Sequence, residues 1–223
     1  MTTTTMAVDV PASITSPFDY KDILRRLQQK GRSLFGPHFK LHKPDLPIIV
    51  PIVAWMLRDD VVASQCRIDL NKGIFLGGDI GTGKTQLMQL MRCIVYSPYE
   101  YAVHSCPKIA LDFGKSGTQT IMRYSYDCLS KNSSIQAVCC FDDLGKEINT
   151  KHYGTSCNIM QQILLARYEL FVQHGIITHV TSALNTLQLE EKYGTGIRSR
   201  FREMFNRITF PANTADKRKN YLQ

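Results

Sequence analysis

Gly78-Asp79-Ile80-Gly81-Thr82-Gly83-Lys84-Thr85 reads G-x-x-x-x-G-K-T, a spacing suited to holding phosphate. Its glycines permit the backbone angles that turn N–H groups inward, and a helix starting after them adds favourable partial charge for an anion. Lys84 is then placed for the β- and γ-phosphates of a nucleoside triphosphate, and the Thr85 hydroxyl for Mg²⁺. The competing explanation is a chance glycine-rich turn. It is disfavoured because an apolar run (Ile74, Phe75, Leu76) enters the motif and an amphipathic segment leaves it.

A second signal is Ala137-Val138-Cys139-Cys140-Phe141-Asp142-Asp143-Leu144-Gly145, whose Asp142 lies 58 residues beyond Lys84. A buried parallel strand reads as a continuous apolar run, and this one ends in two carboxylates. Acids there sit at the carboxyl edge of a sheet, where open α/β folds bind ligands. Asp142 suits Mg²⁺ organisation, and Asp143 could orient or polarise an attacking water. A solvated Asp-Asp turn is the plainer alternative, weakened by the phosphate motif upstream.

After the apolar run 176–181 come Ser182-Ala183-Leu184-Asn185 and then Arg198, Arg200 and Arg202. Arginines at alternate positions cannot share one helical face, so at least one is free for a partner or a neighbouring subunit. A solvent-facing basic helix with no catalytic task is the alternative.

Short apolar runs at 73–76, 101–105, 136–141, 176–181 and 208–210 predict five strands, with helices between them at 84–96 and 158–174. That alternation is the pattern of an α/β domain with a largely parallel sheet. Ahead of it, a helix is expected from Asp19 to a stop at Gly31, then a proline-rich linker or packing segment, then a helix opened by Pro51 and running to about Ala63. The expected organisation is a flexible lead-in at 1–17, a helical N-terminal extension at 18–65 and a catalytic core at 66–223. Tyr96, Tyr99 and Tyr101 could stack on bases, although core and loop packing is the commoner use of such residues.

The formal net charge is +8, and residues 198–223 hold seven of the Lys and Arg against two Asp and Glu. Such a bias favours an anionic partner over a cationic one. Seven cysteines with no C-x-x-C pair argue against a structural zinc site and for reduced, mostly buried thiols. The longest apolar run, Leu46 to Leu57, is interrupted by prolines and too short to span a bilayer, and no signal peptide is recognisable. A soluble, cytoplasmic protein without membrane contact is expected.

The GDIGTGKTQL segment, CCFDDLG, TSALN and the YG…RSRF…M block together resemble the AAA+ ATPases of the helicase-loader and transposition-helper group (DnaC-like and IstB-like proteins), in order and spacing from about Asp69 to Arg218. The resemblance implies a P-loop NTPase of AAA+ type: a five-stranded parallel sheet between helices, a short helical N-terminal extension and no full lid domain, since only 13 residues follow Phe210. It makes Lys84 and Thr85 Walker A residues and Asp142 and Asp143 Walker B residues. It makes Arg200 the arginine finger acting in trans in a homo-oligomer, and Arg218 the second sensor. It implies ATP and Mg²⁺ as ligands, a replicative helicase or transposase as protein partner, and single- or double-stranded DNA. Residues 18–65 would contact the partner protein, or else form a plain packing helix with a basic face. One departure is Ala183, where the group usually has a polar sensor; Ser182 and Asn185 are the candidate substitutes. The gap leaves open a slow ATPase.

The function expected is ATP binding and hydrolysis in DNA replication or transposition, as a helicase loader or DNA-remodelling accessory ATPase. The rivals are a nucleotide-responsive DNA-binding adaptor with little catalysis, for which Ala183 argues, and a P-loop small-molecule kinase. The kinase fits the Asp142-Asp143 strand end poorly.

Overall fold

A computed structural model describes residues 16–129, 137–148, 150–152 and 155–217. The expected lead-in at 1–17 lies outside them except for Ser16 and Pro17, and Arg218 lies outside them as well.

Helix α1 (Tyr20–Phe35) starts where the Asp19 carboxylate accepts the Asp22 N–H, an N-cap for one of the helix's orphan donors. It runs past the expected stop at Gly31 to Gly36. Gly31 is a packing glycine: a Cβ there would lie 2.1 Å from Cε1 of Phe39, whose ring fills the place of a side chain. Helix α2 (Leu46–Leu57) has Pro47 in its first turn and Pro51 inside it, so the helix expected from Pro51 to Ala63 is corrected. Pro51 deletes one helical N–H, but Ile48, Ile49, Ile52, Val53, Trp55 and Met56 are all buried, and packing holds the helix. The chain turns at Arg58, in left-handed conformation, and Asp59 caps a separate α3 (Asp60–Gln65).

The alternating region then delivers β1 (Gly73–Gly77), α4 (Lys84–Met91), β2 (Ala102–Ser105), α5 (Cys106–Ser116), α6 (Thr118–Tyr124) and β3 (Cys139–Leu144). A small antiparallel hairpin, β4 (Thr150–His152) and β5 (Thr155–Cys157), follows. The chain continues through α7 (Ile159–His174), β6 (Thr178–Ser182), α8 (Thr186–Tyr193), α9 (Gly196–Met204) and β7 (Phe205–Thr209). The five-stranded sheet is parallel, in the order β2-β3-β6-β1-β7. Strand β6 therefore lies between β1, which leads into the phosphate motif, and β3, which carries the acids. Its register pairs Thr181 with Leu76 and Val180 with Phe141, so the end of β6 meets both.

Side chains alternate across the sheet, as the pleat requires. Ile74, Leu76 and Cys140 join Trp55, Met88 and Leu27 in one core cluster, so α1 and α2 share a core with β1 and α4. Phe75, Cys139, Phe141 and Val180 join Ile109, Ile163 and Leu164 in the other. Tyr101 is buried and donates to the Met88 carbonyl at 2.6 Å, which removes it as a base-stacking surface.

Element boundaries shift from expectation, most clearly in β3, α4 and β7. Strand β3 runs through Leu144 instead of ending at Phe141, so both acids belong to the strand. A register shift between Phe141 and Leu144, with Asp143 at φ 59, lets the backbone bend there without leaving the sheet. Helix α4 ends at Met91, short of Tyr96, and Ile94 and Val95 pack against the core from irregular chain. Strand β7 is Phe205–Thr209 where 208–210 was expected. Among the described residues no helix is long and apolar enough to cross a membrane. Cys106, Cys139 and Cys140 are buried, Cys66 is half-buried and Cys93 is exposed.

Candidate functional site

The loop between β1 and α4 has all three of its motif glycines at positive φ: Gly78 at 139°, Gly81 at 89° and Gly83 at 90°. An L side chain is strained in that region, so the loop's curvature depends on glycine. Gly83 is also the N-cap of α4, which leaves the first helical N–H groups without a side-chain cap and available to an anion. The Lys84 ammonium is buried and donates to the carbonyls of Gly78 (2.6 Å) and Asp79 (2.8 Å), folding the lysine along its own loop. Burial holds its pKa below the usual lysine range; Asp143 opposes that shift and Lys146 adds to it.

Asp142, on β3, is also buried. Its carboxylate accepts the Thr85 hydroxyl at 2.8 and 3.0 Å and the Thr181 hydroxyl at 2.6 Å. The Thr181 oxygen in turn accepts the Asp143 N–H at 2.9 Å. One hydroxyl from the middle strand thus fixes both acids. Ile80, Gly81, Gly83, Lys84, Thr85, Asp143, Lys146 and Lys217 line a cavity of about 270 Å³ over the loop. Three lysines and one carboxylate face that space, a balance suited to a polyanion.

No protein-family model matches the sequence, and no curated protein does. Likeness does appear among solved structures. A candidate primosome component from Streptococcus pyogenes serotype M3 aligns with a TM-score of 0.53 at 17% identity, over 78% of this chain and 83% of that one. The likeness is one of fold: a five-stranded parallel α/β sheet flanked by helices. The DnaC helicase loader aligns at a TM-score of 0.45 and 13% identity over 63% of this chain and 79% of its own. DnaI aligns at 0.47 and 18%, over 63% of this chain and 73% of its own.

Within this α/β fold the other residues singled out by sequence are dispersed. Ser182 donates to the Leu144 carbonyl at 2.6 Å and accepts the Leu184 N–H, so its hydroxyl closes a turn. Asn185 forms the capping box of α8 with Gln188. Arg198 pairs with Glu190 at 3.6 Å. Arg200 lies along α9, donating to the Gly196 carbonyl at 3.0 Å with its guanidinium 5.3 Å from the Tyr168 ring centroid, and does not line the loop cavity of its own chain.

Three residues unforeseen from sequence do reach the site. Thr181 is one; a polar residue near the end of an apolar strand was its only signal. Lys217, the neighbour of Arg218, bonds through its N–H to the Gly81 carbonyl at 3.0 Å and through its ammonium to Asp45 at 2.6 Å. Lys146 is the third, 2.9 Å from an Asp143 oxygen.

Thr85 and Asp142 offer a hydroxyl and a carboxylate, hard oxygen donors of the kind Mg²⁺ takes when most of its shell is water and phosphate. No cluster of three or more His, Cys, Asp or Glu able to hold a metal alone occurs among the described residues. The donor set fits a nucleotide-bound Mg²⁺ better than a resident metal.

Thr181→Val removes the shared hydroxyl at nearly constant volume. It leaves the Asp143 N–H unpaired, so a stability loss of about 1–3 kcal/mol in urea unfolding is expected. Thr181→Ser should recover most of it, because the bonds depend on the oxygen.

Proposed function

We propose that this chain binds ATP with Mg²⁺ and hydrolyses it, working in the cytoplasm as an AAA+ accessory ATPase of DNA replication or transposition of the helicase-loader kind. The observation that carries the reading is the joining of the phosphate loop, the Thr85–Asp142 bond and Asp143 around one lysine-rich cavity. A second cavity of about 260 Å³, lined by His38, Phe39, His42, Ile49, Leu87 and Phe210, shares Gly83, Gln86 and Lys217 with the first. Its apolar walls and polar rim suit a base and ribose beside the phosphates.

In this reading the loop N–H groups and Lys84 bind the β- and γ-phosphates, and Thr85 and Asp142 hold the metal. When bound, Mg²⁺ supplies charge neutralisation at the phosphate oxygens. Asp143 orients a water in line with the γ-phosphorus and accepts its proton as the new P–O bond forms and the bond to the ADP oxygen breaks. Arg200 of a neighbouring copy stabilises the charge that develops. The replication role and its partners, DNA and a replicative helicase or transposase, draw support from the motif resemblance and from the fold likeness to a candidate primosome component.

The test is phosphate release from ATP, with and without single-stranded DNA. ADP plus free phosphate is expected; a phosphorylated small-molecule acceptor would indicate a kinase, and binding without turnover an adaptor. Arg200→Ala should lower turnover roughly 10²-fold or more with nucleotide affinity retained. Mixing it with Lys84→Ala should restore part of the activity, because mixed interfaces pair an intact pocket with an intact arginine. Two inactive variants that stay inactive when mixed would overturn the trans assignment.

A further inference from the structure

Lys146 is a cation lining the loop cavity that no motif accounts for. It sits on the turn that closes β3: its N–H bonds the Asp143 carbonyl at 3.1 Å, and its ammonium bonds an Asp143 oxygen at 2.9 Å. The backbone beneath it is pinned. Buried Glu147 accepts the Gly145 N–H at 2.8 Å and the Tyr193 hydroxyl. Lys192 donates to the carbonyls of Gly145 at 2.6 Å and Glu147 at 2.8 Å. A main chain held from both sides leaves the Lys146 side chain as the adjustable part, aimed at the cavity that Lys84 and Thr85 also line.

The pair itself is exposed, with 44% of the Lys146 side chain and 30% of Asp143 accessible. Such a pair contributes little and is readily exchanged for a better anion. Lys84 and Lys146 are close enough for mutual repulsion to shift Lys84, so two ammonium groups converge on one space. An anion carrying several charges satisfies both.

We propose that Lys146 is a ligand for the terminal phosphate in cis, and that it gives the site its preference for nucleoside triphosphate over diphosphate. The inference rests on the nucleotide-binding reading above and assigns to this residue a part of it. On contact with a γ-phosphate, the Lys146 ammonium exchanges the Asp143 carboxylate for a phosphate oxygen. Asp143 is thereby released to face the water whose proton it accepts. Lys146 thus couples arrival of the third phosphate to availability of the base.

The experiment is calorimetric titration with ADP and with the non-hydrolysable analogue AMPPNP, each with Mg²⁺, on the wild type, Lys146→Met and Lys146→Arg. Methionine keeps the length and apolar stem of lysine, and an exposed position should preserve the fold, which the thermal midpoint checks. Lys146→Met is expected to weaken AMPPNP about tenfold or more while moving ADP less than about twofold, and Lys146→Arg to restore most of the difference. Equal weakening of both nucleotides, or no change in either, overturns the proposal while leaving nucleotide binding intact. A wild type that binds neither nucleotide overturns the reading on which it rests.

Discussion

Lys84→Ala is expected to reduce ATP turnover roughly 10²–10³-fold, equivalent to about 3–4 kcal/mol of transition-state stabilisation. The size follows from where the ammonium sits. It is buried at the mouth of α4, so its charge acts in a medium that screens it less than water does. Its present bonds are to the Gly78 and Asp79 carbonyls, contacts that a phosphate can replace without moving the backbone. Stability should respond far less. The substitution loses the ammonium's hydrogen bonds, including a longer one to the Thr82 hydroxyl, but also removes a desolvated charge, and the two changes oppose each other. Chemical unfolding is therefore expected to shift by less than about 1 kcal/mol. Turnover within threefold of wild type would sink the assignment of Lys84 to the phosphates, whereas a collapse of stability would show that the residue is structural.

What sequence could reveal about this molecule depended on how local the cause was. The phosphate loop is local: five apolar positions, eight motif residues and an amphipathic helix are consecutive, so their geometry follows from their order. The acids are nearly so, but the bend that keeps Asp142 and Asp143 inside β3 was hidden, because it needs a left-handed Asp143 and a register shift against β6. Thr181 was hidden for a stronger reason. Its contact with both acids exists only because β6 lies between β1 and β3, and strand order is a tertiary fact. Lys217 reaches the loop because the chain folds back after β7, where the sequence offered three adjacent basic residues, Lys217 to Lys219, and the resemblance pointed to Arg218. Gly31 and Pro51 misled for the opposite reason. Each is a local breaker overridden by packing, against Phe39 and within the buried run around Trp55.

The second large effect is on acid stability and comes from His179, a residue with no part in binding. It lies mid-strand on β6, fully buried, between the rings of Trp55 (4.6 Å) and Tyr101 (4.8 Å). Its Nδ1 accepts the Ile74 N–H at 3.0 Å, so that nitrogen must be unprotonated. The ring is held neutral: burial, reinforced by Arg167 and Arg58, pushes its pKa down to about 3 from 6.5. Between those values the unfolded chain binds a proton that the folded chain refuses. Stability is therefore full above pH 6.5 and falls as the pH drops toward 3, at about 1.4 kcal/mol per pH unit once the unfolded histidine is protonated. His104, depressed first by burial and then by Arg123, acts in the same direction and is common to any variant at 179. His179→Asn retains an acceptor for Ile74 and removes the titration. Urea unfolding at pH 7.5 and 5.0 should then show the wild type losing about 2 kcal/mol more than the variant across that interval. Parallel losses would mean that the histidine admits a proton in the folded state. The consequence reaches the site, because Thr181 lies two residues along the same strand. A strand that opens to accept the proton on His179 would withdraw the hydroxyl that holds Asp142 and the Asp143 N–H, so phosphate release should fail at a pH no lower than that at which β6 loosens.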